Sequence, residues 1–433
     1  MIFEATNAFL RVQVRVICRR FSETRGKSYR PSLQSLLDRN DPTKNVTPNI
    51  LDKIGRNLHQ NQNHPLGIIK SMVEDYCNQY AKTKNQPEFK IVDSLAPIVD
   101  TKSCFDDLRV APDHVSRRPS DTYYLTKDMV LRTHTSAHQT EQLRAGQRAF
   151  LCSGDVYRRD EVDKSHYPVF HQMEGVRIFR SSDVPLKAHM SPSEASLVAK
   201  LFAEEDMKQL LSELARHLFG KNTEIRWRDD YFPFTEPSFE LDVFFNGSWM
   251  EVLGCGVMHD EVMRCGGLHP LSCSDNISAI KQSGEFDVGW AFGIGLERLA
   301  MVLFDIPDIR LFWSNDPRFL SQFSAGKVTK FSPYSKHPHC YKDVSFWLPQ
   351  ALGNRQSPFH SNDVYELIRE VAGDMVEEVQ LFDQFLNKKT GRQSHAYRVN
   401  YRHMDRSLTN EEVDAIQVVV RKELVSKLGV ELR

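Results

Sequence analysis

Two short segments of alternating polar and apolar residues constrain the fold of this chain more than any other feature. They are AFLCSGDVYRR (residues 149–159) and VFHQMEGVRIF (residues 169–179), and a turn-rich piece separates them. A period of two is typical of β-strands with one buried face. Comparable runs occur at FKIVDSL and DTYYLTKDMVLRTH. The sequence therefore predicts an α+β fold with an antiparallel sheet, rather than a parallel sheet of alternating strands and helices.

Helical spacing appears on both sides of these strands. HPLGIIKSMVEDYCNQYAKT has one apolar face, residues 194–219 predict a second helix, and WAFGIGLERLAMVLFDI enters a nearly all-apolar helix that we expect to be buried. DVFFNGSWMEVLGCGV predicts a hairpin that turns at Asn246 and Gly247.

A proline-marked linker at residues 332–339 divides the chain into two predicted domains. Beyond it, residues 340–433 follow the order strand, helix, strand, strand, helix, which suits a ferredoxin-like module of about 100 residues. The first domain covers residues 64–331, and a polar, proline-punctuated extension covers residues 26–63. The length of 433 residues agrees with two domains.

The overall charge says little about partners. The chain has 56 Lys and Arg against 57 Asp and Glu, a formal net charge of −1, so a polyanion would have to be bound by local patches. The sequence has no run of about 18 apolar residues, and we therefore expect no membrane-spanning function.

The first 25 residues are rich in arginine and poor in acids. Five arginines and two glutamates lie among apolar residues in MIFEATNAFLRVQVRVICRRFSETR. This pattern resembles a mitochondrial transit peptide more than a secretory signal, which needs a longer apolar core. A merely basic tail is the alternative.

The eight cysteines are scattered and form no CxxC pair, which indicates a reducing compartment. Cysteines and histidines cluster only between residues 255 and 273, at Cys255, His259, Cys265, His269 and Cys273. Their spacings match none of the closed zinc modules, so free thiols in a loop are the preferred interpretation over zinc.

The hairpin at residues 154–175 sorts its side chains by face. If VFHQMEG is a strand, Phe170, Gln172 and Glu174 share one face, and Arg158 of the preceding strand points into the same space. The alternative is an exposed hairpin with solvated charges.

The stretch GIGLERLAM argues against an exposed, solvated hairpin and favours a binding site. Gly293 and Gly295 allow close approach of the backbone to a ligand, and Arg298 follows at the start of an apolar helix. Because a buried unpaired guanidinium is prohibitive, we expect Arg298 to have a partner. The stretch lacks the third glycine of a dinucleotide-binding fingerprint.

These two stretches resemble motifs 2 and 3 of class II aminoacyl-tRNA synthetases. The motifs that carry a closer resemblance, to the single-chain mitochondrial phenylalanyl-tRNA synthetases, are HTSAHQ, VYRRDEVD, HYPVFHQMEG, YFPFTEPSFE, WMEVLGCGV, GWAFGIGLERLAM and IPDIRLFW. YRVNYRHMDRSLTNEEV resembles the anticodon-binding ferredoxin-fold domain of that family. The resemblance implies an antiparallel sheet flanked by helices, with catalysis in residues 64–331 and anticodon binding in residues 340–433.

The resemblance also implies an activity. The family activates phenylalanine with ATP to phenylalanyl-adenylate and transfers the acyl group to tRNA(Phe). For this chain it implies a monomer in the mitochondrial matrix, with Mg²⁺ accompanying ATP.

For phenylalanine, Glu174 would satisfy the ammonium group and Gln172 would fix its orientation, while Phe232 and Phe234 would face the phenyl ring. Core packing is the alternative for these two aromatics. Ser136 has a competing interpretation, because Ser136 to Gln139 also fits a helix capping box. The full predicted set is His134, Ser136, Ala137, His138, Gln139, Gln172, Met173, Glu174, Phe232, Phe234, Ala291 and Phe292.

For ATP, Arg158 would hold the α-phosphate, and Phe170 and Arg298 would cover the two faces of adenine. Arg158 and Arg298 are therefore the predicted catalytic residues. Glu251 would orient ATP or bind Mg²⁺, unless it is an ordinary strand carboxylate. The full predicted set is Arg158, Ser165, His166, Tyr167, Phe170, Glu251 and Arg298.

An apolar slot discriminates poorly against one added hydroxyl, by only about 100-fold, so tyrosine is the dangerous competitor. Two-subunit relatives have an editing domain, and the sequence predicts none here. We therefore expect measurable tyrosine mischarging.

The tRNA-binding residues predicted from charge are Lys388, Lys389, Arg392, Arg398, Arg402 and Arg406. Tyr397 and Tyr401 alternate with this stripe and would stack on bases. A solvated strand face is the alternative.

Two rival functions stay open at this point. One is an RNA-binding protein that has kept the synthetase fold and lost catalysis, and the other is an enzyme that activates another carboxylate. Phenylalanine-dependent exchange between ATP and pyrophosphate separates all three.

Overall fold

A seven-stranded sheet forms the centre of the first domain and contains both alternating segments. The computed structural model describes residues 41–187, 190–271, 285–333, 337–349 and 359–433. The strands in these ranges are β1 (Lys90–Val92), β2 (Ile98–Asp100), β3 (Tyr124–Thr126), β4 (Met129–Leu131), β5 (Ala149–Tyr157), β6 (Val169–Arg180), β7 (Ile225–Asp230), β8 (Thr235–Phe245), β9 (Ser248–Met258), β10 (Asp287–Gly295), β11 (Cys340–Trp347), β12 (Val376–Leu386), β13 (Gln393–Tyr401) and β14 (Glu431–Leu432).

The helices lie around the sheets. The α-helices are α1 (Pro48–Lys53), α2 (Pro65–Thr83), α3 (Thr101–Cys104), α4 (Gln139–Arg144), α5 (Pro192–Phe219), α6 (Asp260–Cys265), α7 (Leu296–Phe304), α8 (Pro317–Leu320), α9 (Ser361–Ala372) and α10 (Asn410–Leu428). Short 3₁₀ helices cover Leu58–Gln60, Asp106–Leu108, Val115–Arg117, Thr135–His138, Ser181–Asp183, Ile309–Trp313 and Gly373–Met375. In the part of the chain that the structure describes, none of the helices has the length and apolarity to cross a membrane.

The strand order in the large sheet is β1-β5-β6-β10-β9-β8-β7. All neighbours pair antiparallel except β1 and β5, which are parallel. The predicted α+β fold is thus confirmed, with one parallel edge. The hairpin of β8 and β9 turns at Asn246 and Gly247, both of which have positive φ, as this turn requires.

The two faces of the large sheet differ in their covering. Helices α2, α5 and α7 pack on one face and form the main hydrophobic core, where Trp290, Phe292 and Met173 are fully or almost fully buried. A small sheet of order β2-β4-β3, with short helices, covers part of the other face. No described element covers the remainder of that second face.

The second domain has the predicted ferredoxin-like topology. Its sheet has the order β12-β13-β11-β14, and α9 and α10 pack on one side of it. Helix α10 begins with a capping box between Thr409 and Glu412, which satisfies two backbone N–H groups at its N-terminus.

The N-terminal extension is more structured than its polar composition suggests. Helix α1 falls within the predicted extension, and its Ile50 and Leu51 are buried. Asn49 Nδ2 donates to the carbonyl groups of Arg369 and Glu370 in α9, so this segment bridges the two domains. The predicted transit peptide, residues 1–25, lies outside the described residues.

The loop between β5 and β6 packs against the second domain. Val162 belongs to the hydrophobic core of that domain, and its carbonyl accepts from Val379 N at 2.9 Å. Arg369 Nη2 donates to the carbonyls of Asp160 and Glu161. Apolar Val162 is thus buried between the domains, and it holds the loop against the second domain.

Candidate active site

A row of residues across three strands defines the centre of the uncovered sheet face. Glu174 of β6 lies opposite Gly293 of β10, which lies opposite Gly254 of β9. A Cβ atom added at Gly293 or Gly295 would meet no atom within 4 Å, whereas one at Gly254 would lie 2.8 Å from the Phe232 ring. The glycines of β10 therefore form the floor of an open slot, and Phe232 forms a wall above Gly254.

The slot runs along β6. Glu174, Gln172 and Phe170 share this face as predicted, and they alternate with His171 and Met173, which are buried on the other side. At about 3.3 Å per residue, Glu174 and Phe170 are about 13 Å apart along the strand. The slot is therefore long enough to bind one chemical group at the Glu174 end and a second one at the Phe170 end.

Glu174 is the chemically distinctive residue of the first end. Its side chain is almost completely buried, and Gln139 Nε2 donates to its Oε1. Burial raises the pKa of the Glu174 carboxyl to about 7, while hydrogen bonds from Ser136, Gln139 and Thr135 act in the opposite sense. Glu174 Oε2 and Gln139 Oε1 are buried without a hydrogen-bond partner among the described residues. Two unsatisfied acceptors suit a ligand with a positive charge and several N–H groups.

The capping-box interpretation of Ser136 and Gln139 was wrong. Helix α4 begins at Gln139 without a side-chain cap, and Gln139 uses its amide to bind Glu174.

Two parallel aromatic rings form the wall of the slot. The Phe232 and Phe234 rings stack at 5.9 Å with an interplanar angle of 9°. The centre of the His134 ring lies 6.5 Å from the centre of the Phe234 ring. Burial lowers the pKa of His134 to about 3, so its ring is neutral. Ala291 lies on the same face, next to Phe234 in the smaller core. The first end of the slot is therefore apolar apart from the Glu174 group.

Sequence reasoning missed the residue that holds this aromatic wall. Arg109 donates from Nη1 to the Pro233 carbonyl at 2.7 Å and pairs with Glu261. His259 N also donates to the Phe234 carbonyl at 2.9 Å. Nothing in the local sequence around Arg109 links it to residues more than a hundred positions away.

Several predicted phenylalanine-binding residues lie elsewhere. Phe292 packs under Gly175 and stacks on Trp290 at 6.0 Å, in the helix-side core. Met173 lies in the same core. Alternation along a strand puts both side chains on the face opposite Glu174, so neither side chain reaches the slot. Ala137 and His138 are buried beside it, where His138 Nε2 accepts from Arg132 Nη1 at 2.9 Å.

Arg158 and Phe170 lie together at the second end. The Arg158 guanidinium carbon is 5.2 Å from the centre of the Phe170 ring, and Arg158 Nε donates to the Thr133 carbonyl at 2.8 Å. Burial lowers the pKa of Arg158 from its ordinary value, yet a guanidinium stays protonated. Arg158 forms no ion pair with any described residue. A partly buried cation that forms no ion pair with the described residues is suited to bind an anionic ligand.

Arg298 lies on the exposed side of an otherwise buried helix. Its side chain is 53% exposed and pairs with Glu251 of β9 at 3.3 Å. A partner was expected and is present, but the expectation of burial was wrong, because Arg298 faces the slot rather than the core. Sequence reasoning also missed Glu240, whose pKa is raised by partial burial and by the nearby Glu251 charge.

The predicted phosphate-contacting loop is held by its own hydrogen bonds. Asp163 Oδ1 accepts from the backbone N–H groups of Ser165 and His166, and His166 Nδ1 lies 2.7 Å from Asp163 Oδ2. This last bond raises the pKa of His166. Tyr167 is buried and donates to Asp374 of the second domain. Tyr167 is therefore part of the domain interface and does not point into the slot.

The predicted tRNA stripe splits by face. Tyr397 and Tyr401 are completely buried against α9 and α10, so the expectation that they stack on bases was wrong. Lys388 and Lys389 are exposed. The four arginines form ion pairs, Arg392 with Glu431, Arg398 with Asp343, Arg402 with Glu377 and Arg406 with Glu412.

The aromatic residues on the open face of the second sheet are different ones. Tyr341, Phe382 and Phe385 are exposed, and Arg398 lies 5.0 Å from the centre of the Phe382 ring. Alternation alone could not have identified Phe382 and Phe385 together, because they are three residues apart and share the open face only through the irregularity in β12 between Leu381 and Asp383. This face combines aromatic rings with guanidinium groups.

The cysteines do not form a metal site in the part of the chain that is described. Cys255 is buried in the helix-side core, Cys265 is half-buried, and both are free thiols. Cys273 lies outside the described residues. The free-thiol interpretation therefore fits the described members of the cluster.

The family comparisons agree with this geometry. The model for the class II core domain (F) of tRNA synthetases matches residues 53–202 and 177–323, and the model for the ferredoxin-fold anticodon-binding domain matches residues 335–433. The fold and the slot thus define a class II aminoacyl-tRNA synthetase core joined to an anticodon-binding domain.

Similar proteins narrow the class. The chain is 50% identical to a chloroplastic/mitochondrial phenylalanine–tRNA ligase of Arabidopsis thaliana, over 91% of this chain and 83% of that protein. It is 45% identical to the mitochondrial enzyme of Mus musculus (91% and 86%) and 39% identical to that of Saccharomyces cerevisiae (91% and 93%). The chain belongs to the family of mitochondrial phenylalanine–tRNA ligases.

Proposed function

We propose that this chain joins phenylalanine to tRNA(Phe) in the mitochondrial matrix, as a monomer, and that the slot on the large sheet binds phenylalanine and ATP end to end. The observation that carries the proposal is the row of Glu174, Gly293 and Gly254. It combines a buried acceptor for an ammonium group with open space beside two stacked phenyl rings.

Phenylalanine binds at the first end. Glu174 Oε2 and Gln139 Oε1 accept from its ammonium group, and the side chain lies along Phe232 and Phe234 over the glycine floor. Gln172, one step along the same face, orients the substrate carboxylate toward the second end. This arrangement buries the phenyl ring against apolar surface and satisfies both orphan acceptors.

ATP binds at the second end, with adenine between Phe170 and Arg298 and the α-phosphate beside Arg158. A carboxylate oxygen of phenylalanine attacks the α-phosphorus, and the bond to pyrophosphate breaks. Arg158, which is partly buried and forms no ion pair with the described residues, stabilises the charge that develops on the α-phosphate oxygens. A tRNA hydroxyl then attacks the acyl carbon and AMP leaves. The enzyme supplies position and charge and no nucleophile of its own.

The carboxylates beside Arg298 fit Mg²⁺, which prefers hard oxygen ligands. Glu251 is half-exposed at the slot, and Glu240 lies close enough to feel its charge. These two residues would hold the ion, which would neutralise part of the charge of the ATP phosphates.

For tRNA, the open face of the second sheet offers Phe382, Phe385 and Tyr341 for stacking, with Arg398, Lys388 and Lys389 for phosphates. The similarity to ligases and the presence of Arg158, Glu174 and Arg298 favour an enzyme over the inactive RNA-binding alternative.

The proposal is tested by phenylalanine-dependent exchange between ATP and pyrophosphate. The wild-type chain is expected to catalyse exchange, and Arg158→Ala is expected to lower kcat by on the order of 100-fold to 1,000-fold, since it removes one preorganised donor to the developing charge.

Arg159→Ala is the matched control, because this neighbour points away from the slot and pairs with Asp363. Its exchange rate is expected to stay within about threefold of wild type. Absence of exchange in the wild-type chain would favour the RNA-binding alternative, and exchange with a different acid would identify another substrate.

A further inference from the structure

One buried carboxylate, that of Glu297, connects β6 to the start of α7. These two elements carry Phe170 and Arg298, the proposed adenine-binding residues. The hydrogen-bonded register between β6 and β10 ends at Gln172 opposite Gly295, where the chain leaves the sheet to begin α7. The next residue of β6, His171, thus has no strand partner on that side. Glu297 takes this place: its Oε2 accepts from His171 N at 2.7 Å, and its Oε1 lies 2.7 Å from His171 Nδ1.

The pair is sealed from solvent. His171 is 0% exposed and Glu297 is 3% exposed. His171 stacks on Trp313 at 5.8 Å and lies 5.2 Å from the His59 ring. No Lys or Arg of the described residues forms an ion pair with Glu297. A buried carboxylate held by two N–H donors of one residue is fixed in position and orientation, because leaving either donor or the carboxylate unpaired is costly.

The neighbours of these two residues give the pair its significance. His171 lies between Phe170 and Gln172, whose side chains point into the slot, and Glu297 directly precedes Arg298. We infer that Glu297 and His171 are positioning residues that set the separation of Phe170 and Arg298, the two groups that cover adenine. This inference rests on the proposed function, since it concerns the nucleotide end of the same slot.

The pair should act on one end of the slot only. Glu174 lies within the part of β6 that is hydrogen-bonded to β5 and β10 on both sides, so the amino-acid end is held without Glu297. At the nucleotide end the pairing of β6 with β10 has stopped, and the Glu297 carboxylate accepts the hydrogen bond of His171 N in its place. Because displacement of a binding group by about 1 Å is enough to weaken binding and catalysis strongly, loss of the pair should weaken ATP binding selectively.

The test compares Glu297→Ala, which removes both acceptors, with Glu297→Gln, which keeps the shape and one acceptor. KM for ATP and KM for phenylalanine are measured separately by pyrophosphate exchange, and ATP binding is measured by calorimetric titration. Glu297→Ala is expected to raise KM and Kd for ATP on the order of tenfold, with KM for phenylalanine within about twofold. Glu297→Gln is expected to recover part of the loss.

Asp206→Asn is the matched control, because Asp206 also accepts from a buried side chain, Trp290 Nε1 at 2.9 Å, on the same helix-covered face of the sheet but away from the end of β10. It is expected to leave both KM values unchanged. Folding of each variant is checked by thermal denaturation, and if Glu297→Ala does not fold, Glu297→Gln carries the same comparison.

Equal rises in both KM values, or a folded variant with unchanged ATP affinity, would overturn the positioning role. Wild-type protein that binds ATP but shows no phenylalanine-dependent exchange would overturn the proposed function instead, and the calorimetric comparison would still decide the role of the pair.

Discussion

At the scale of single residues, the central group of the site is the Glu174 carboxyl, whose burial destabilises the ligand-free protein. Glu174 is buried with one carboxylate oxygen unpaired among the described residues, and burial raises its pKa to about 7. A carboxyl with this pKa is half-protonated near neutrality, whereas binding of an ammonium group requires the ionised form. Substrate affinity and protein stability should therefore depend on pH in opposite directions.

Phenylalanine affinity should rise with pH. Below pH 7 the neutral form of Glu174 predominates in the empty slot, so kcat/KM for phenylalanine is expected to fall about tenfold between pH 8 and pH 6. Exchange kinetics at saturating ATP measure this change. A flat profile over this range would contradict the assignment of Glu174 to the ammonium group.

Glu174→Gln supplies the complementary result. Because the folded-state pKa is raised, the stabilising contribution of the carboxyl is complete below its unfolded value near 4.5 and is lost as pH rises through about 7. The variant should therefore lose phenylalanine binding. At pH 8 its free energy of unfolding should exceed that of the wild type by up to about 3 kcal/mol. At pH 4 the two proteins should have similar stability.

At the scale of elements, β10 shows how glycines divide between packing and function. Gly293 faces open space, whereas a Cβ at Gly175 on the neighbouring strand would overlap the ring of Phe292. Both glycines lie in regular strands without positive φ, so conformational freedom does not explain them. Gly293 leaves room for a ligand, and Gly175 leaves room for the Phe292 ring in the core.

Gly293→Val and Gly175→Ala should separate these roles. Valine suits a strand and meets no atom at Cβ, so Gly293→Val is expected to keep stability within about 1 kcal/mol while filling the slot and lowering phenylalanine-dependent exchange at least about 100-fold. Gly175→Ala overpacks the core and is expected to cost about 1–3 kcal/mol. Urea unfolding and exchange rates measure both effects. An active Gly293→Val enzyme would show that the slot lies elsewhere.

At the scale of the whole molecule, the two domains share a polar and apolar interface centred on the loop between β5 and β6. Arg369 of α9 pairs with Glu366 at 2.7 Å and holds the loop carbonyls of Asp160 and Glu161. Tyr123 of the first domain donates to the same Glu366. The active-site hairpin is thus connected directly to the anticodon-binding domain.

Arg369→Met should destabilise this arrangement. It leaves the buried Glu366 carboxylate without its cation, which typically costs about 3–5 kcal/mol. Arg398→Met is the control, since Arg398 and Asp343 form an exposed pair whose loss is expected to cost no more than about 1 kcal/mol. Chemical unfolding of the full chain measures both. If Arg369→Met lowers the free energy of unfolding no more than Arg398→Met does, the interface contributes little to stability.

Much of the fold and part of the site were predictable because they depend on local periodicity. Alternation in VFHQMEG placed Phe170, Gln172 and Glu174 on one face, and the structure agrees. The same rule applied to WAFGIG would have put Phe292 opposite Gly293 and removed it from the slot. Tyr397 and Tyr401 were misjudged for a different reason, since charge pattern alone does not reveal which face of a strand is covered by helices.

The sequence by itself determined the strands, their faces, the turn at Asn246 and Gly247, the ferredoxin-like order and the motifs of the family. Only the tertiary structure decided which face of the sheet stays open, that Arg298 points outward, that Glu297 replaces a strand partner of His171, and that Val162 docks in the second domain. Periodicity is a property of neighbouring residues, so it is readable locally. The pairing of β6 with β10 and the contact between domains join residues more than a hundred positions apart, and packing alone selects them.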